Sequence, residues 1–314
     1  MSRIRIGLDA MGGDYAPTEA ILGAEILTDH IDFANVDIVL VGEKSIIQDT
    51  LKSLGITKVY EIVDAPDTIL MGEHPTKAVS QKRNSSIMVG LKMLMEGKLD
   101  GFAGAGNTGA MMVGSLYTVK TIDGIFRPAI TTILPRPSGR HGLMLDVGAN
   151  ADVKPEMLVQ FANIGSIYAR LIMGIDQPKV GLLSIGEEKE KGNILTQATY
   201  PLLEEERFIN FIGNVEGRDL FADKADVVVC DGFTGNVVLK ACEGMCQILM
   251  KRGIEDDYLN TFNFENYGGS PILGVNKPVI IGHGISKAKT FANMLKLTHD
   301  VIVSNLIDSI TAHL

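Results

Sequence analysis

The sequence has no surplus of basic residues: 29 Lys and Arg stand against 38 Asp and Glu, a formal net charge of −9. That balance excludes a general nucleic-acid binder, which needs cations to neutralise phosphates along a duplex. Cysteine is scarce. Cys230, Cys242 and Cys246 are the only three, which suits a reducing cytoplasm better than a disulfide framework. Cys242 and Cys246 stand four apart, yet no other cysteine or nearby histidine completes a metal site, so packing is the better reading and no metal or cofactor is expected. No apolar run approaches membrane-spanning length. The amino-terminal MSRIRIGLDAMGGD reads as a strand and a glycine turn, so no signal peptide is expected and the location implied is cytoplasmic. Its DAMGGD segment lacks the three-glycine spacing of a dinucleotide loop, which removes a nicotinamide cofactor. There is no G-x-S-x-G elbow and no cysteine in a turn that would lower its pKa, leaving a covalent acyl-enzyme little support. Internal repeats and low-complexity tracts are also missing.

What is there is a steady alternation of strand and helix over 314 residues, 46% of them apolar and 34 of them glycine. The chain exceeds the usual single-core size, so one large α/β unit or two lobes is expected. Its most informative stretch is Ala225 to Lys240, ADVVVCDGFTGNVVLK. Val227–Val229 reads as a strand buried on both faces. Asp231 ends it, Gly232, Thr234, Gly235 and Asn236 turn the chain, and a helix follows with Val238, Cys242, Met245 and Leu249 on its expected core face. A free helix mouth at a strand's carboxyl end suits an anion such as phosphate; the plain alternative is an ordinary strand-to-helix turn.

The same kind of turn recurs. Asp9 to Asp14, with Gly12 and Gly13, follows the first strand. Gly106-Asn107-Thr108-Gly109-Ala110 follows the strand at Leu99–Ala105, and Gly148-Ala149-Asn150 follows the strand ending at Asp146. After the strand Lys179–Ser184 comes the charged run Gly186 to Asn193, where Lys191 can hold a phosphate oxygen or a developing oxyanion and a carboxylate can orient it. The alternative is a solvated loop. Arg218 offers a fork suited to phosphate. His283 lies between two glycines, where a structural histidine is an equally good reading. The loop Pro135 to Arg140 reads as rigid and basic, residues 252–265 as a short polar link, and everything from Ser286 as one long helix.

These motifs, taken with Val215–Asp219 and Tyr267-Gly268-Gly269, run in order nearly end to end and resemble the phosphate acyltransferases of bacterial phospholipid synthesis, the PlsX family. The resemblance implies transfer of a fatty acyl group from acyl carrier protein to inorganic phosphate. It also implies a homodimer with an αβα sandwich, mostly parallel in its sheet and isocitrate/isopropylmalate-dehydrogenase-like, with two lobes and an interlobe cleft. Lobe 1 is expected at about 1–130 plus 285–314 and lobe 2 at about 131–284. The acyl phosphate would pass to a membrane glycerol-3-phosphate acyltransferase of the PlsY type, giving membrane association through a partner.

Set against that chemistry, Lys191, Glu188 and Asn193 are the catalytic candidates, with Glu188 orienting Lys191. Phosphate or substrate binding falls to Asn107, Thr108, Gly109, Asn150, Arg218, Asp231, Gly235, Asn236 and His283, while Asp9, Gly12, Gly13 and Asp14 are expected to shape a turn. Lys77, Lys82, Arg83, Lys251, Arg252, Lys287 and Lys289 are candidates for the patch that meets the acidic carrier. Many family members carry a longer helix pair between the segments matching Met250 and Tyr267, with apolar residues that touch membrane; the short link here argues against direct membrane attachment. The alternatives are a phosphate acetyltransferase using acetyl-coenzyme A and a non-catalytic docking protein. A decarboxylating dehydrogenase would need an arginine cluster that is missing.

Overall fold

The computed structural model describes residues 3–29 and 33–313. They form an α/β fold in two compact units, one of residues 1–122 with 264–307 and the other of residues 123–263 with 308–314. Residues 264–284, expected with the middle of the chain, therefore belong with the first unit, and the last residues of the chain with the second.

The first unit opens with β1 (Ile4–Asp9), α1 (Thr18–Thr28), β2 (Val36–Gly42), α2 (Lys44–Ser53), β3 (Glu61–Asp64), α3 (Pro75–Gln81), α4 (Ser86–Met95), β4 (Gly101–Gly104) and α5 (Thr108–Gly114). Within it the strand order is β3-β2-β1-β4, parallel throughout. Ile6, Leu8, Val39, Leu40 and Phe102 are fully buried, as a sheet covered on both faces requires.

The second unit contains β5 (Ala129–Pro135), β6 (His141–Leu145), α6 (Pro155–Leu171), β7 (Lys179–Leu183), α7 (Ile194–Glu205), β8 (Asn210–Val215), β9 (Val227–Val229), α8 (Gly232–Lys251) and α9 (Asp257–Asn260). Its order is β5-β6-β9-β7-β8, with β5 antiparallel and the rest parallel. The loop expected to be basic is the turn joining β5 to β6. Arg136 there is buried, its guanidinium 3.3 Å from Asp223 and 3.5 Å from Asp226 and donating to the Ala225 carbonyl. Its charge serves the turn and is withdrawn from solvent.

Two further expectations change in this unit. Met245 of α8 is 58% exposed and the buried residues of that helix are Gly232 and Gly235, although Val238 does pack against the core. The expected core face of α8 thus turns inward only near its start. The 252–265 link holds more than polar residues: Tyr258 stacks edge-on with Phe262, which meets Phe221, and the Tyr258 hydroxyl donates to the Pro135 carbonyl at 3.0 Å.

The chain then returns to the first unit with β10 (Ser270–Leu273), an unexpected strand antiparallel to β11 (Val279–Ile281), which extends the parallel sheet beside β4. The long last helix is two: α10 (Ala288–Val303) and α11 (Leu306–His313). Asn305, at φ +52°, breaks them, a left-handed conformation that asparagine tolerates better than most residues.

Candidate active site

In the second unit the turn between β9 and α8 is built as a helix cap. Asp231 accepts the Thr234 amide on Oδ1 and the Thr234 hydroxyl on Oδ2, both at 2.8 Å. Both carboxylate oxygens are thereby committed to shaping the helix mouth. Gly235 is fixed by packing, because a Cβ there would collide with the Asp146 carbonyl.

Asp146 itself, at the end of β6, is the hub of this turn. Its buried carboxylate accepts from the amides of Ile130 and Ala149 at 3.1 Å and of Asn150 at 2.6 Å. Burial pushes its pKa up, and these hydrogen bonds pull against it. Asn150, expected to bind phosphate, spends its side-chain amide on the Pro128 carbonyl at 2.8 Å and on Asp146 at 2.9 Å. It is a brace. Its carbonyl also accepts from Gly232 at 2.7 Å. Asn236 is exposed and lies over Gly148.

The charged run after β7 sorts itself by pairing. Lys189 binds Glu204, and Lys224 reaches Glu187 at 2.7 Å and Asp219 at 2.8 Å. Arg218 lies against Glu216 while 75% exposed. Lys191, among the described residues, has no ion pair. Its side chain and that of Glu188 both cross Gly186, where a Cβ would stand 2.9 Å from Lys191 Cγ and 3.2 Å from Glu188 Oε2. The two are joined through the backbone, Lys191 N–H to the Glu188 carbonyl at 3.0 Å, rather than by the side-chain pair that was expected. The Asn214 amide also holds the Glu188 carbonyl, at 2.8 Å.

Asn193 caps α7, its Oδ1 accepting the Thr196 amide at 2.9 Å. A cavity of about 170 Å³ lies where the mouths of α7 and α8 meet, walled by Ser184, Asn193, Thr196, Asp231, Thr234 and the apolar side chains of Leu158, Leu183, Ile185 and Leu195. The first-turn amides of Ile194, Leu195 and Phe233 have no intrahelical carbonyl to reach, and both helix dipoles favour negative charge there. Ser184 and Thr196 were not singled out in the sequence; Thr196, three residues after the capping Asn193, was the legible one of the two. Cys230 also lines the cavity, but burial pushes its thiol well up, so it holds its proton and is no nucleophile.

The turns of the first unit are tied differently. Asn107 donates its side-chain amide to the carbonyls of Leu70, Met71 and Glu73 at 3.0–3.1 Å and accepts the Ala110 amide at 2.9 Å. No donor of that side chain is left for a ligand. Thr108 is exposed, and Gly109 packs against Pro75. Asp9 is buried at the end of β1, with Oδ1 accepting the Met11 amide at 3.1 Å and Oδ2 left without a protein partner. Burial lifts its pKa to about 6, with the polar neighbours Ser86, Met11 and Gly12 pulling the other way. Gly12 packs against that carboxylate, Gly13 takes φ +103°, and the Asp14 amide donates to the Gly284 carbonyl at 2.7 Å, beside His283. His283 is half-buried, and its carbonyl accepts the Ser286 amide at 2.9 Å. Of the cations considered for carrier docking, Lys82 pairs with Glu73 and Lys289 with the Asn266 side chain, whereas Lys77, Lys251, Arg252 and Lys287 are exposed.

Residues 4–309 match the family model described as fatty acid synthesis protein. The phosphate acyltransferase of Desulfitobacterium hafniense is 43% identical, with 99% of this chain and 98% of the relative covered. That of Dictyoglomus thermophilum is 44% identical over 95% and 94%. Among solved structures, a phosphotransacetylase from Streptococcus pyogenes aligns over 96% of this chain and 94% of its own with a TM-score of 0.69 at 16% identity. The EutD phosphotransacetylase of Staphylococcus aureus aligns over 97% and 94% with a TM-score of 0.66 at 17% identity. At those identities the two structures show the fold alone, but the sequence relatives carry more: the chain belongs to the fatty acid synthesis protein family of phosphate acyltransferases, the PlsX family, and is an acyltransferase of lipid biosynthesis.

Proposed function

We propose that the enzyme moves a fatty acyl group from the thiol of acyl carrier protein to inorganic phosphate. The observation that carries this reading is the second-unit cavity, where two helix mouths meet at a wall that includes Gly192, the residue after Lys191. Phosphate, largely dianionic at neutral pH, sits at the unpaired amides of α7 and α8. One of its oxygens attacks the thioester carbonyl carbon, and Lys191 stabilises the oxyanion that forms. Glu188, sharing the space over Gly186, orients Lys191. When the carbon–sulfur bond breaks, its electron pair goes to sulfur, which takes up the proton of the hydrogen phosphate. The products are acyl phosphate and the free carrier thiol. Holding two substrates in line supplies the rest of the rate.

The cations that could receive the acidic carrier are the exposed Lys77 and Lys287 in the first unit, or Lys251 and Arg252 in the second. A homodimer is supported by the exposed apolar side chains Met245, Ile248 and Met250 of α8, and light scattering reads its mass. No described helix is long and apolar enough to cross a membrane; a cytoplasmic enzyme handing acyl phosphate to a membrane glycerol-3-phosphate acyltransferase accords with that.

Phosphorus NMR of palmitoyl acyl carrier protein mixed with phosphate and enzyme tests the reaction. Growth of an acyl phosphate resonance supports it. Turnover of acetyl-coenzyme A with none of the carrier thioester replaces it with the acetyltransferase reading, and tight carrier binding without any turnover points to a docking protein.

A further inference from the structure

Four large apolar side chains stand in solvent on residues that line the second-unit cavity or follow its wall residues along the chain. Ile185, which lines it, is 79% exposed; Ile194, between the wall residues Asn193 and Leu195, is 90% exposed; Phe233, next to the wall residue Thr234, is 66% exposed; and Val237, one turn further along α8, is 52% exposed. A site for phosphate alone has no use for them. Anion recognition is supplied by polar groups and amides, and exposed isoleucine and phenylalanine beside it forgo the gain of leaving water.

A thioester attacked by a phosphate in this cavity must bring its carbonyl carbon to the cavity, so the first methylenes of its chain emerge at the mouth. Ile185 lines the cavity, Ile194 and Phe233 adjoin its wall residues in sequence, and Val237 lies one helical turn on from Phe233 on the same face of α8. Inside the cavity the walls of Leu158, Leu183 and Leu195 continue the apolar surface.

We infer that Ile185, Ile194, Phe233 and Val237 form the subsite for the thioester-proximal part of a fatty acyl chain and set the enzyme's preference for long chains. The inference rests on the acyl-transfer reading above and adds to it the residues that read chain length. A chain laid along these side chains is covered by them and covers them in turn, so its binding strengthens with each methylene that reaches the rim. An acetyl group is too short to reach it.

The test compares Ile185→Ser and Val237→Ser with wild type, using acetyl, butyryl, octanoyl and palmitoyl thioesters of acyl carrier protein, and the same four thioesters of coenzyme A in parallel. Both positions are exposed, so the variants are expected to fold, and circular dichroism checks that they do. The expected result is a fall in kcat/KM of about tenfold or more for octanoyl and palmitoyl groups, with acetyl rates within about twofold of wild type. Equal losses at every chain length, or no loss at any, would overturn the inference. Equal losses together with a halved molecular mass would assign the rim to a subunit interface instead. Should wild type use only coenzyme A thioesters, the carrier assignment falls while the chain-length comparison still decides the rim; wild type inert with all eight thioesters would sink both.

Discussion

The two units end their buried strands in turns of nearly the same composition, Gly with Asn and Asp, but spend those residues differently. In the first unit Asn107 is consumed by three carbonyls and one amide, and Asp9 is sealed under the glycine turn. In the second, Asn193 and Asp231 each cap a helix and both line one cavity, whose wall also includes Gly192, the residue after Lys191. Composition makes such turns possible; the partners reached decide whether a turn holds ligand or holds the fold.

The comparison breaks first at Lys191. Lys191→Ala is expected to lower kcat/KM by about a hundredfold or more while leaving the melting temperature unchanged, since the residue is exposed and has no ion pair to lose. Steady-state rates and a thermal melt on the same preparation check both halves. Unchanged turnover would remove Lys191 from the chemistry.

Asp9 sharpens it next. The folded state holds this proton up to about pH 6, above the ordinary 3.8 of the unfolded chain. The buried carboxyl therefore costs stability progressively as pH rises from about 4 to about 6, by about 3 kcal/mol in all, and no more above that. Urea unfolding of wild type and Asp9→Asn from pH 4 to pH 7 should show wild type losing that amount relative to the variant. A constant difference across the range would mean that Asp9 does not titrate there.

Asn107→Ala should cost about 1–3 kcal/mol, because the carbonyls of Leu70, Met71 and Glu73 lose their shared donor. If the clamp is structural, the KM for phosphate stays within about twofold once the protein is folded; a large rise in it would return Asn107 to the anion site. The smallest effect is expected at Arg218. Paired with Glu216 at an exposed position, it should tolerate replacement by alanine with rates within about twofold and stability within about 1 kcal/mol.

Much of the fold was legible because strand and helix signals are local. Val36–Gly42 and Val227–Val229 read directly from runs of β-branched and aliphatic residues, and Asn193 and Asp231 stand where caps belong, each three residues before the amide it accepts. The misses share a cause. β10 is four residues of Ser, Pro, Ile and Leu that become a strand only beside β11. The helical spacing of Val238, Cys242, Met245 and Leu249 marks a face of α8 but not what covers it. Arg136 looked like surface because its partners, Asp223, Asp226 and the Ala225 carbonyl, lie nearly ninety residues away in sequence.

By itself, the sequence determined the family, the alternation of strands and helices, the helix mouths and the lysine, since each is written in residue types at short spacing. Tertiary structure alone decided which polar groups were already taken. Arg136 and Lys191 are both positive charges in loops, yet only Arg136 is buried against carboxylates that folding brings to it. The same holds for Asn107 and Asn150, whose donors face carbonyls that the chain delivers from elsewhere in the fold. A hydrogen bond or ion pair is a property of two groups, and only folding puts the second one in place.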